Sequence, residues 1–255
     1  MEITVNIAFV SVVLLVAARV AAVFYLTPLF STGQIPVQVR LMFVLALSVV
    51  LVASMASLPV SVPNTLGSLT GAMARELLIG ALFAFGIFAA FAAFQLGGRI
   101  LDMQMGFGVA SLIDPVTRTP SPMIGTILNL IAVMVFFAID GHHMIIRGIT
   151  FSLQQIPPGS PLIELNVGAI VSQFGAMFSF AIAIVAPPLF GILLLDAGLG
   201  VVARTMPQVN IFIVSLPLKI LVGLILLAIS ISYMPPLMKN IFVSIFHYWE
   251  VVIGR

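Results

Sequence analysis

The chain reads as an all-α, multi-helix membrane-type protein built of kinked helical hairpins, on three grounds. Of its 255 residues 62% are hydrophobic and only 7% are charged, where an ordinary soluble domain carries about 25% charged residues. Six apolar stretches approach the roughly 20 residues that a bilayer span requires. Between the third and fourth of them lies a connection, Arg99 to Met123, that is neither short nor polar. The mean hydropathy of +1.28 agrees.

In chain order the stretches are Ile3 to Leu26, Leu41 to Leu58, Leu77 to Leu96, Ile124 to Ile139, Val167 to Leu195 and Ile211 to Tyr233. The first has no basic region before its apolar run and carries Glu2 instead, so it is expected to be a mature helix and not a cleaved signal. The second and third are free of charge and rich in Leu, Ala, Val and Phe, which favours helix. Small residues at Gly80, Ala84, Ala89, Ala90, Ala92 and Ala93 should let neighbouring helices approach closely. The fourth stretch, 16 residues, is short for a span, and the fifth, 29 residues, contains Pro187 and Pro188. Two missing backbone donors there predict a kink. The sixth holds Pro217 and Lys219. The last segment, Pro235 to Arg255, is expected either to pack on a partner subunit or to lie at the interface, with Tyr248 and Trp249 as headgroup-level anchors.

Charge is costly in lipid, so Arg19 and Lys219 are expected to form salt bridges within the protein, or else to face a water-filled path or snorkel to an interface. Several basic residues stand beside acids: Arg75 with Glu76, Arg99 with Asp102, Asp114 with Arg118. With six spans, Arg75, Arg147, Lys239 and Arg255 fall on one side and Arg40, Arg99, Arg118 and Arg204 on the other, a tie that sets no orientation. Such a tie fits helices that pack mainly against other subunits.

Few chemistries are open to this composition. Cys is absent, which removes disulfides, thiol catalysis and Cys-based metal sites. The pI of 9.4 rests on a net charge of +2 with no basic stripe, so nucleic acid is not an expected partner. No GxSxG, Walker A, HExxH or dinucleotide fingerprint occurs, and the eight acids are scattered, so neither enzyme activity nor a cofactor is expected. Asp140, His142 and His143 invite a metal or proton-relay reading. Adjacent histidines on a helix point about 100° apart, however, unlike the i, i+4 pair of a helical zinc site. They are read instead as an interfacial cap. A secondary transporter of small molecules is the competing function, motivated by the Pro-kinked fifth stretch, Arg19 and Lys219. Such proteins tend to have two related halves with matching broken helices, and Pro187 and Pro188 have no counterpart in the second or third stretch.

The connection RILDMQMGFGVASLIDPVTRTPSPM is the most telling feature. Met103, Met105, Phe107, Val109, Leu112 and Ile113 surround Gly106 and Gly108, and an apolar irregular segment of a membrane protein persists only where protein or a water-filled cavity encloses it. That makes it a candidate plug. Met side chains adapt to varied contacts, the two glycines give backbone freedom, and Pro115, Pro120 and Pro122 oppose collapse into helix. Asp114 and Arg118, four residues apart, are placed to tether a closed form.

These residues, in series, resemble the FliR family of flagellar export-gate proteins. The resemblance runs through RILDMQMGFG at Arg99 to Gly108, Asp114 and Pro115, DGHH at Asp140 to His143, Pro187 and Pro188, DAGLGVVARTMPQVNIF at Asp196 to Phe212, and LKI at Leu218 to Ile220. The related injectisome subunit shares these motifs less closely. The resemblance implies one subunit of a helical hetero-oligomer around a secretion pore in the bacterial inner membrane at the flagellar basal body, with part of the assembly above the membrane plane on the periplasmic side. It implies FliP-type and FliQ-type gate subunits, the FlhB-type switch protein and unfolded flagellar export substrates as partners. The family's plug loop falls on Gly106 to Pro122, with Met103, Met105, Phe107, Leu112 and Ile113 as the side chains that close the pore.

Overall fold

The computed structural model describes residues 7–27, 36–54, 65–107, 122–161, 165–208 and 210–253. Among them the chain forms eight helices and no strand: α1 (Ile7–Leu26), α2 (Val37–Ser54), α3 (Leu66–Met105), α4 (Met123–Ala138), α5 (Gly141–Gln155), α6 (Val167–Thr205), α7 (Ile211–Ile231) and α8 (Pro235–Val252). Five of these are long and apolar enough to cross a membrane, or six if α4 and α5 count as one broken span. Six apolar stretches and an all-α membrane fold therefore stand as expected.

The helix lengths differ from those expectations. α3 has 40 residues and α6 has 39, so at 1.5 Å per residue each is about 60 Å long, twice the hydrocarbon thickness. Hydropathy marked only their greasy middles. α3 starts early because Thr65 and Ser68 cap it reciprocally, the Thr65 Oγ1 accepting from the Ser68 N–H at 3.2 Å and the Ser68 Oγ from the Thr65 N–H at 3.1 Å. It also ends late, so Arg99 to Met105 are helical turns and not loop. α6 continues through Pro187 and Pro188 to Arg204, a cation in the last turn, where the helix dipole favours it.

Two compact units divide the chain. The first takes its described residues from Met1–Ala89, Asp140–Gln173 and Ser244–Arg255. Its most demanding feature is Arg19, buried in the middle of α1. The Arg19 Nε lies 2.6 Å from Glu76 Oε2, its other nitrogens donate to the Ser152 hydroxyl at 3.2 Å and the Ile156 carbonyl at 2.9 Å, and the Gly159 N–H donates to Glu76 Oε1 at 3.0 Å. Both charges are buried, so the network ties α1, α3 and α5 with its following turn at one point. Glu76 is thus spent on Arg19 and not on its neighbour Arg75, whose Nε donates to the Gly71 carbonyl. A Cβ at Gly80 would overlap the Arg19 carbonyl, so the small-residue face lets α1 and α3 approach closely, as expected.

Tyr248 and Trp249 also belong to this unit, and they correct the interfacial-anchor expectation. The Trp249 Nε1–H donates to the Phe83 carbonyl at 3.0 Å and the Tyr248 hydroxyl to the Leu82 carbonyl at 3.1 Å. Both rings turn inward against α3, because each finds there both apolar cover and an acceptor for its polar tip. Burial pushes the Tyr248 phenol up to about 12, so it stays a neutral donor.

The second unit takes its described residues from Ala90–Ile139 and Phe174–Val243. Phe91, Phe94, Phe136 and Phe242 form its aromatic centre, with ring centroids 5.2 to 5.9 Å apart across α3, α4 and α8. The Lys219 Nζ lies 2.6 Å from Asp196 Oδ1, joining α7 to α6. Both intramembrane cations, Arg19 and Lys219, therefore have internal partners, as the cost of bare charge in lipid requires.

Candidate functional site

The structure describes both stems of the apolar connection, within the second unit. At its start, Asp102 is 5% exposed and its carboxylate spans the first turn of α4: Oδ1 accepts from the Ile124 N–H at 3.0 Å and Oδ2 from the Gly125 N–H at 3.2 Å. A helix N-terminus presents unsatisfied donors and a partial positive charge. The residue preceding α4 is Pro122, which makes no side-chain cap. Asp102 supplies from another helix what Pro122 cannot.

Close backbone approach reinforces this clamp. A Cβ at Gly98 would collide with the Gly125 backbone, and one at Gly97 would meet the Ala181 carbonyl of α6. Adjacent glycines on α3 thus admit two different neighbours. Beyond Asp102 the fully buried Met105 side chain lies over Gly223 of α7, and the chain leaves the helix at Gly106 with φ 83°, a conformation L side chains rarely adopt. Residues 97 to 106 are fixed against α4, α6 and α7 by contacts that side chains larger than hydrogen would obstruct at several points.

Of the residues expected to form the plug, Met103, Met105, Gly106 and Phe107 are described, and Gly108, Leu112, Ile113, Asp114 and Arg118 lie outside the described residues. The structure separates the two methionines. Met103 is 72% exposed whereas Met105 is fully buried, because residues two apart on a helix face opposite ways. Phe107 is half-buried. Asp102, Gly98, Gly125 and Gly223 escaped the sequence reading; Asp102 was matched with Arg99, whereas its carboxylate takes backbone N–H groups 22 and 23 residues away.

At the break between α4 and α5, Asp140 adopts a left-handed conformation (φ 57°, ψ 31°) and makes no side-chain cap. The expectation that His142 and His143 point apart does not hold. Their ring centroids lie 4.2 Å apart, and the ligand atoms of Asp140, His142 and His143 all fall within 4.8 Å of one another. Rotation about the side-chain bonds closes the separation that the helical angle alone suggests.

Residues 10–245 match the family described as bacterial export proteins, family 1. The chain is 34% identical over 233 residues to the flagellar biosynthetic protein FliR of Bacillus subtilis (strain 168), covering 90% of this chain and 89% of that one. It is 26% identical over 238 residues to FliR of Escherichia coli (strain K12), covering 93% and 90%. It is also 28% identical over 215 residues to the surface presentation of antigens protein SpaR of Shigella sonnei, covering 84% and 82%. With a match over nearly its whole length, the chain belongs to family 1 of the bacterial export proteins.

Proposed function

We propose that the chain is a core subunit of the flagellar type III export gate and that residues 106–122 are its plug, hung from the stem that Asp102 closes. The relatives' flagellar biosynthetic role supports the setting. The observation that carries the plug is the clamp itself: one buried carboxylate, Asp102, joins the helix before the apolar connection to the first turn of the helix after it.

In this reading the chain works without catalysis, alongside FliP-type, FliQ-type and FlhB-type subunits. An unfolded flagellar substrate displaces the plug using energy supplied elsewhere. The chain sits in the bacterial inner membrane, with part of it above the membrane on the periplasmic side. α8 is not apolar enough to count as a span and exposes Lys239, Asn240, His247 and Glu250, which suits a helix outside the hydrocarbon on either side. The paired Arg19 and Lys219 remove the charges that motivated a small-molecule transporter.

Deleting Gly106 to Pro115 tests the reading. Reconstituted gate complexes carrying the deletion should assemble and leak ions. Intact assemblies with unchanged ion permeability would overturn the plug.

A further inference from the structure

We infer that Asp140, His142 and His143 form a binding site for a divalent transition-metal ion, with zinc, nickel or copper the chemical class. The inference is independent of the plug and runs against the reading of these residues as a cap.

Three observations carry it. The ligand atoms of the three side chains already lie within 4.8 Å of one another, and the His143 Nδ1 is 3.5 Å from Asp140 Oδ1. Ligands around a four-coordinate ion with bonds of about 2.0 to 2.1 Å stand about 3.3 Å apart, so the widest pair must close by about 1.5 Å. The Asp140 and His143 side chains are 73% and 63% exposed, so they close by rotation, without repacking, and a hydrated ion reaches them. Half-buried His142 provides the fixed member.

Asp140 adds the second point. An Asp preceding a helix ordinarily turns its carboxylate onto the N–H groups of the first turn, from an extended backbone. Here the left-handed backbone forgoes that cap and sets the carboxylate beside the two imidazoles. Finally, the donor set is selective: one carboxylate and two imidazoles suit borderline ions, whereas calcium and magnesium take all-oxygen sites. Three protein ligands leave a fourth position for water or a neighbouring chain.

The test uses the full-length chain with its co-purifying subunits, without a polyhistidine tag, stripped with a chelator and titrated with Zn²⁺ against a chromogenic competitor. One Zn²⁺ per chain is expected. His142→Ala and His143→Ala should each weaken binding by about tenfold or more, Asp140→Asn should weaken it, and His247→Ala should leave it unchanged. X-ray absorption at the zinc edge should report two imidazole nitrogens. Because Asp140 and His143 are at the surface, their variants should keep the parent's helical circular dichroism. Absence of saturable binding, or binding that persists in the His142→Ala/His143→Ala double variant, would overturn the site.

Discussion

Asp102→Ala is the sharpest perturbation of the gate. The substitution removes both acceptors from the first turn of α4 and leaves the Ile124 and Gly125 N–H groups facing a dry contact. Hydrogen bonds to a charged group contribute about 1.5 to 3 kcal/mol each. Even the low end for two bonds gives about 3 kcal/mol. If the clamp exists only in the closed form, that loss raises the open population about 100-fold, since each 1.4 kcal/mol is a factor of ten. Asp102→Asn keeps one good acceptor without the charge and should raise it on the order of tenfold. Ion flux through reconstituted gate complexes reads both variants, with assembly checked by size. Equal leak from Asp102→Ala and the parent, in intact complexes, would refute the clamp as a determinant of closure.

Three further outcomes follow from named contacts. Glu76→Gln leaves Arg19 charged and buried without its counter-ion, so it should cost about 3 to 5 kcal/mol in unfolding measurements, and Arg19→Met/Glu76→Leu should recover most of that. Met105→Ala empties space over Gly223 and should cost about 2 to 5 kcal/mol, whereas Met103→Ala should change stability by less than about 0.5 kcal/mol. A larger effect from Met103 would reverse the assignment of core and surface. Gly148→Val drives a side chain into the ring of Trp249, the single Trp of the chain, so its emission should shift to the red and stability fall by about 1 to 3 kcal/mol.

The parts of this fold written locally were legible. Charge-free runs of Leu, Ala, Val and Phe gave α2 and the middle of α3 because length and hydropathy suffice for a span. The salt bridges of Arg19 and Lys219 were foreseeable because bare charge in lipid is costly, although the identity of Glu76 as a partner 57 residues away was not. Helix ends were the failure. The third apolar stretch stops at Leu96 before two glycines, and Arg99 to Met105 mixes charge and methionine and so reads as loop, yet Gly97 and Gly98 are there for close packing against α6 and α4. Periodicity cannot distinguish a glycine that bends a chain from one that admits a neighbour. The aromatic tail misled similarly: Tyr and Trp near a C-terminus suit a membrane interface, but acceptors on α3 draw Tyr248 and Trp249 inward. At the site, the apolar character of the connection was visible, while the Asp102 clamp depends on contacts between residues more than 20 apart.

Since the chain has no cysteine, Leu112→Cys and Ile113→Cys each create a unique handle in the segment that matters most. Reaction of these variants with a bulky, membrane-impermeant maleimide, in the intact assembly with and without a stalled export substrate, tests directly whether the segment lies in the conduit. Protection in the empty gate, with crosslinking to the substrate once one is lodged, is the predicted result. Free labelling from the outer surface of the empty particle would contradict it.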